Sequence, residues 1–235
     1  MLLSKNSLLV TGSSRGLGKL LAESYLSMGI TVFGCSRNDS TIVHKNYQHF
    51  SLDITDEASI ISMFKEIALH KVRLDLVINN AGLTQSSLGI LTSAKTANDI
   101  IGTNILGTFL VTREALKLMQ RQRYGRVVNF SSINVPQGSV GSSLYSASKA
   151  AIESMALTLS RESAKSDITI NTIGLSLVDK SGMLDSLSPK AVAEKQSLLI
   201  KPGLLSVEEI IHAINFFASP LAKNICAELI YFGGA

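Results

Sequence analysis

The stretch Leu8-Leu9-Val10-Thr11-Gly12-Ser13-Ser14-Arg15-Gly16-Leu17-Gly18-Lys19 decides how the chain is read. Three aliphatic residues in a row predict a short buried strand at 8–10, and the glycines after it permit a sharp turn. Apolar residues then recur at helical spacing, at Leu20, Leu21, Tyr25 and Met28. Gly29, able to take a positive φ, closes that helix at 19–28. A strand, a glycine turn and a helix in this order form the ligand edge of a doubly wound sheet. Free N–H groups at the helix start and the helix dipole favour phosphate there. The spacing T-G-x-x-x-G-x-G is narrower than the general dinucleotide fingerprint, so Gly12, Ser14, Arg15, Gly16, Leu17 and Gly18 are the candidate phosphate loop.

Outward from this loop, β-branched runs alternate with helical stretches to the end of the chain. Strands are expected at 30–35, 48–52, 74–78, 126–130, 168–173 and 228–232, and helices at 97–120 and 145–164. Alternation of this kind predicts an α/β fold, a doubly wound, mostly parallel sheet of seven strands with helices on both faces, over residues 1–235 as one domain. The connection from Arg37 to Asp53 is short, so its helix should be abbreviated or absent. Between 176 and 203 the pattern loosens around Pro189 and Pro202, with a helix at about 190–199, as expected of a flap over a site.

Composition agrees with such a core. Of 235 residues 46% are hydrophobic and 17% charged, with 6% aromatic, no Trp and a mean hydropathy of +0.27. Ile, Leu, Val and Ala must therefore fill the space between sheet and helices. Cys35 and Cys226 stand far apart with no metal-ligand spacing around either, which predicts free thiols, no disulfide and no metal. The start, Met1-Leu2-Leu3-Ser4-Lys5, runs into an apolar stretch that ends at Gly12 and is too brief for a signal peptide, and no run approaches a membrane span, so a cytoplasmic location is expected. A net charge of +4 does not by itself point to nucleic acid.

Two features carry chemistry. The second strand ends Cys35-Ser36-Arg37, where an acidic residue would select a free ribose 2′-OH; Arg37 and Arg15 suit a 2′-phosphate instead, which predicts NADP(H). Tyr145 and Lys149 lie four residues apart on one helix face. Free tyrosine titrates near about 10, so bringing it toward ~7 requires roughly 4 kcal/mol of phenolate stabilisation, which a neighbouring ammonium and an oxidised nicotinamide can supply. Ser132, just past the fifth strand, can hydrogen-bond a substrate carbonyl.

Together with Asp53 after the third strand, Asn79-Asn80-Ala81-Gly82 and Asn104, these motifs resemble the short-chain dehydrogenase/reductase family along essentially the whole chain. The resemblance implies a Rossmann-type fold, with Tyr145 as proton donor and acceptor and Ser132 positioning the carbonyl. Lys149 would bind the nicotinamide ribose and lower the tyrosine, and Asn104 would hold a helix kink and a proton-relaying water. Asp53 and the backbone of Ile54 would meet adenine, and Asn80, Ala81 and Gly82 would line the adenosine ribose. The chain departs from the family after the sixth strand. Leu175-Ser176 replaces the usual Pro-Gly, and Lys180 stands where a threonine would align, leaving Val178 to offer backbone to the carboxamide.

In length and layout the chain is most similar to the β-ketoacyl-carrier-protein reductases. That resemblance implies a 3-oxoacyl thioester substrate and a basic face for an acidic carrier, here Arg113, Lys117, Arg121, Arg123 and Arg126. A tailoring dehydrogenase/reductase of a secondary metabolite is the near alternative. A nucleotide-binding regulator without turnover is the distant one, and the intact Ser132, Tyr145 and Lys149 set speaks against it. Apolar residues beyond one stripe on helices 97–120 and 145–164, with the resemblance, predict a homo-oligomer, dimer or tetramer.

Overall fold

The structure is a computed structural model that describes residues 7–70, 72–182, 184 and 188–234; residues 183 and 185–187 of the expected flap, and the first six residues, lie outside the described residues. Seven parallel strands, β1 (Ser7–Thr11), β2 (Thr31–Ser36), β3 (Tyr47–Ser51), β4 (Leu74–Asn79), β5 (Tyr124–Ser132), β6 (Asp167–Leu175) and β7 (Leu229–Tyr231), form one sheet in the order β3-β2-β1-β4-β5-β6-β7. The order reverses between β1 and β4. At such a switch point neighbouring connections leave to opposite faces and open a crevice at the strands' C-terminal ends.

The helices are α1 (Gly16–Ser27), α2 (Glu57–Leu69), α3 (Ala94–Ile101), α4 (Thr108–Gln122), the single turn α5 (Asn134–Gln137), α6 (Ser143–Glu162), α7 (Pro189–Ser197) and α8 (Val207–Ala218). On one face α1 and α8 pack Leu21, Tyr25, Ile210, Ile214 and Phe217 over Val10, Val32 and Ile78. On the other, α2, α4 and α6 bring Ile60, Met63, Ile67, Val111, Ala115, Met119 and Leu159 against Leu9, Val77 and Val127. Each of these buried side chains contributes about 1.5–3 kcal/mol relative to exposure, which is why central strands read as unbroken aliphatic runs.

Three differences from the sequence reading have physical causes. The helix expected over 97–120 is not continuous: α3 and α4 are joined by a π-helical segment, Gly102–Gly107, bounded by the two glycines. A Cβ on Gly107 would lie 2.6 Å from the Ile54 side chain, so the helix approaches the loop after β3 as only glycine permits. Helix α2 was not expected, although Ile60, Met63, Phe64 and Ile67 have helical spacing and the Asp56 side chain caps its start. Helix α8 was also passed over, with Ser206 and Glu209 forming a capping box. As expected, no helix intervenes between β2 and β3.

Candidate active site and cofactor cleft

A cavity of about 900 Å³ runs along the C-terminal ends of the strands. Its walls at one end are Gly12, Ser14, Arg15, Gly16, Leu17, Gly18, Arg37, Asp53 and Ile54; toward the other they are Asn80, Ala81, Gly82, Ser132, Tyr145, Lys149 and Val178. Of the residues given a catalytic or cofactor-binding role from the sequence, all but Asn104 line it.

The phosphate loop begins in the left-handed region at Gly12 (φ 72°) and passes through it again at Gly16 (φ 55°). A Cβ on Gly18 would collide with the Gly12 carbonyl and the Asn80 amide. No side chain caps α1, so the N–H groups of its first turn are free for an anion. Thr11, at the head of the motif, holds the neighbouring loop: its Oγ1 accepts from the backbone N–H of Asn80 (3.1 Å) and Ala81 (2.9 Å), and its carbonyl accepts from Asn80 Nδ2 (2.8 Å). Arg15 and Arg37 are exposed at the rim. The Asp53 carboxylate accepts from the N–H (2.9 Å) and hydroxyl (2.8 Å) of Thr55, a turn that leaves Ile54 against Gly107. A glycine-rich cradle with uncapped N–H groups and two guanidinium groups at one end fits a phosphorylated dinucleotide.

At the other end Tyr145, Ser132 and Lys149 are all buried. Burial pushes the Tyr145 phenol above its ordinary value, and a hydrogen bond with Ser132 pulls it back. Lys149 Nζ donates to the Phe130 carbonyl at 2.8 Å and lies 5.8 Å from the centre of the Tyr145 ring. Burial draws this ammonium down to about 8. In this arrangement a hydrogen bond with Ser132 acts on the phenol directly, while the Lys149 ammonium is turned to a carbonyl.

Asn104 is fully buried beside the cavity, in the π segment. Its Oδ1 accepts from Leu83 N–H (2.7 Å), and its Nδ2 donates to the Leu83 carbonyl and to Ser148 Oγ (both 2.9 Å). It ties the loop after β4 to α6, one residue before Lys149.

The segment after β6 crosses the cleft. Lys180 (φ 55°) and Gly182 (φ 74°) both take left-handed backbone, and the Ser181 carbonyl would be 2.6 Å from a Cβ on Gly16. Lys180 therefore stands in a tight turn directly over the phosphate loop, while Leu175 ends β6. Val178 bridges to Leu205, its carbonyl accepting from Ser181 Oγ at 2.9 Å. Further on, Lys195 and Leu199 line the cavity, and Gln137 Nε2 donates to the Leu198 carbonyl at 3.3 Å.

The expected basic face is largely neutralised from within. Arg113 pairs with Glu57 (2.7 Å) and Glu114 (2.8 Å), Lys117 with Glu114 (2.7 Å), and the buried Arg126 with Asp167 (2.9 Å). Arg121 and Arg123 remain, near the start of β5. Ser132 ends that strand, roughly 26 Å away at ~3.3 Å per residue.

The family model described as short chain dehydrogenase matches residues 6–191. The chain belongs to the short-chain dehydrogenase family. It is an oxidoreductase of that family. The 3-oxoacyl-(acyl-carrier-protein) reductase FabG of Salmonella typhimurium is 31% identical over 232 residues, 96% of this chain and 95% of that protein. The protein of the same name from Aquifex aeolicus is 31% identical over 237 residues. Among solved structures, ElxO with NADP bound is 28% identical with a TM-score of 0.86, covering 97% of this chain and 96% of that one. A short chain dehydrogenase of Leptospira borgpetersenii with bound NAD⁺, 20% identical, shares the fold at a TM-score of 0.89 and covers 99% and 93% of the two chains. Among the described residues, no helix of this dehydrogenase is long and apolar enough to cross a membrane.

Gln85, a residue the sequence reading missed, is buried. Its Oε1 accepts from the N–H of Leu144 (2.9 Å) and Tyr145 (3.3 Å), and its Nε2 donates to the Ser87 carbonyl (3.0 Å) and Thr92 Oγ1 (2.7 Å). Ser142, at the N-cap of α6, makes no side-chain cap, so Gln85 supplies one from another loop. No local pattern announces this, since the partners are about sixty residues away in sequence.

Proposed function

We propose that the chain is an NADP(H)-dependent reductase of a carbonyl, run reversibly as a secondary-alcohol dehydrogenase, with a 3-oxoacyl thioester as its substrate. The observation that carries this reading is a buried phenol, hydrogen-bonded to Ser132, in the same cleft as an uncapped glycine loop with two arginines at its rim. When bound, the nicotinamide supplies or takes the hydride. Gly12, Ser14, Arg15, Gly16, Leu17 and Gly18 would hold its pyrophosphate, Arg15 and Arg37 the 2′-phosphate, Asp53 and Ile54 the adenine, and Asn80, Ala81 and Gly82 the adenosine ribose. Lys149 would meet the nicotinamide ribose and Val178 the carboxamide.

Ser132 donates to the substrate oxygen and holds it against Tyr145, whose phenol gives that oxygen its proton in reduction and removes it in oxidation. A buried phenol keeps its proton at neutral pH, which suits the reductive direction. Asn104 keeps the loop after β4 and the helix bearing both Tyr145 and Lys149 in register. The residues at 176–203 act as the lid. A reducing cytoplasm agrees with two free cysteines.

Similarity to FabG of two organisms supports the thioester, and similarity to ElxO with NADP bound supports the cofactor. A second reading, a tailoring reductase acting on a polar ketone, is favoured by Asn134, Gln137 and Lys195 in the wall of the same cavity. The test follows loss of reduced-nicotinamide absorbance with acetoacetyl thioesters and with polar ketones, each with NADPH and NADH. Turnover of the thioester with NADPH is expected. Turnover of polar ketones alone would replace the substrate assignment, and tight NADPH binding without turnover of any of them would make the chain a regulator.

A further inference from the structure

The loop carrying Arg37 connects β2 to β3 without a helix, and a chain of hydrogen bonds does the holding instead. His49 Nε2 lies 3.0 Å from the Asn38 carbonyl and 3.1 Å from Ser36 Oγ. A carbonyl only accepts, so Nε2 carries the hydrogen and Nδ1 is the acceptor. Nδ1 then accepts from the Tyr47 hydroxyl at 2.9 Å, and that hydroxyl in turn accepts from Ser13 Oγ at 3.0 Å. The donors therefore run in one direction, from Ser13 in the phosphate loop through Tyr47 and His49 to the two residues flanking Arg37.

Gly34 makes room for this chain. It pairs with His49 across the strands, and a Cβ there would collide with both Ser13 Oγ and the Tyr47 hydroxyl. Ser36 Oγ also donates to the Asn38 carbonyl (2.7 Å), and Ser51 Oγ donates to Asp39 (2.6 Å), which occupies the acidic side chain next to Arg37. Arg37 itself is exposed and forms no ion pair among the described residues.

We propose that the Tyr47–His49 pair is a positioning device that holds the Arg37 turn in place and so sets the preference for a cofactor phosphorylated on the adenosine ribose. This rests on the NADP(H) reading above. An arginine on an unbraced loop must lose both loop and rotamer freedom when a phosphate arrives, whereas a braced one has already lost the first. Because only the 2′-phosphate meets Arg37, the gain falls on NADPH and leaves NADH untouched.

The experiment is a binding titration of NADPH and of NADH, followed by nicotinamide fluorescence, on the parent protein, Tyr47→Phe and His49→Leu. Tyr47→Phe keeps the ring and removes one oxygen, so it remains informative if His49→Leu fails to fold. Both variants are expected to weaken NADPH roughly five- to tenfold and to leave NADH within about twofold. His49→Gln, which keeps one donor and one acceptor, is expected to recover most of the loss. In an Arg37→Met background the selective loss should vanish, since nothing remains to be positioned. Variants that weaken both cofactors alike, or neither, would overturn the brace while leaving the NADP(H) reading in place. Equal binding of the two cofactors by the parent protein would overturn both.

Discussion

Lys149 keeps its ammonium among buried groups with the Phe130 carbonyl as its hydrogen-bond partner, and burial holds its titration near about 8 rather than at 10.5. Between those two values the unfolded chain carries a proton that the folded one has released. Stability therefore rises with pH across that window, and the cost of burying the charge is greatest below it. Lys149→Met is accordingly expected to melt higher than the parent at pH ~7, by up to a few kcal/mol, with the advantage shrinking toward pH ~10. Thermal unfolding at the two pH values checks this; a lower melting point at both would show that the lost hydrogen bond outweighs the relieved charge. Ser132 acts on the phenol in the opposite sense to burial. Ser132→Ala should raise Tyr145 further, so the pH at which alcohol oxidation reaches half its maximum moves upward, as a pH–rate profile would record. Both residues were legible in the sequence because the tyrosine–lysine spacing is local and the serine ends a strand. That the ammonium meets the Phe130 carbonyl was not legible, since that depends on where it turns once it is buried.

Helix α6 carries Tyr145 in its first turn, and the cap of that turn comes from outside the helix. Gln85→Met fills the same space without accepting the two N–H groups, so the turn bearing the phenol loses its anchor at a cost of about 1 kcal/mol. The expected result is faster amide exchange at Leu144 and Tyr145 and a kcat reduced roughly tenfold with the NADPH KM unchanged, because the cofactor meets other residues. A change in KM alone would place Gln85 in binding instead. The π segment makes a similar point about what a sequence displays. Gly102 and Gly107 are visible to any reader, yet the break they permit exists because Ile54 presses against one of them and Leu83 claims the Asn104 amide. Seven strands and their parallel order followed from aliphatic runs alternating with helical spacing, which is local information. Helix α2 is equally visible in its own residues, with Ile60, Met63, Phe64 and Ile67 at helical spacing behind the Asp56 cap. The loop from β2 to β3 was expected to carry an abbreviated helix or none, and it carries none; that Tyr47 and His49 replace it is a tertiary fact.

Several apolar side chains are exposed among the described residues, and two groups of them lie on packed helices and the sheet edge. On one side, Ile101 and Leu106 from the α3–α4 region and Leu157 on α6 are each more than 40% exposed. On the other, Phe216 on α8 is 52% exposed and Ile230 on the edge strand β7 is 39% exposed. Apolar side chains on the outer faces of packed helices are what a second subunit covers, and two separate patches on one chain would build a dimer of dimers by two isologous contacts. The patch of Ile101, Leu106 and Leu157 includes the catalytic helix α6, so its burial would also stiffen the element that carries Tyr145 and Lys149. Leu106→Arg together with Leu157→Arg would place two guanidinium groups across the two-fold axis from their own copies. Sedimentation should then show smaller particles than the parent at micromolar protein, and kcat should fall with the assembly rather than with cofactor binding. Phe216→Arg, on the other patch, should halve the assembly while leaving kcat near the parent's, since α8 contributes no residue to the cavity wall. A parent protein that sediments as a monomer would remove the basis for both expectations. If instead the Leu106→Arg, Leu157→Arg protein keeps the parent's size, subunits meet elsewhere and these helices are simply solvated.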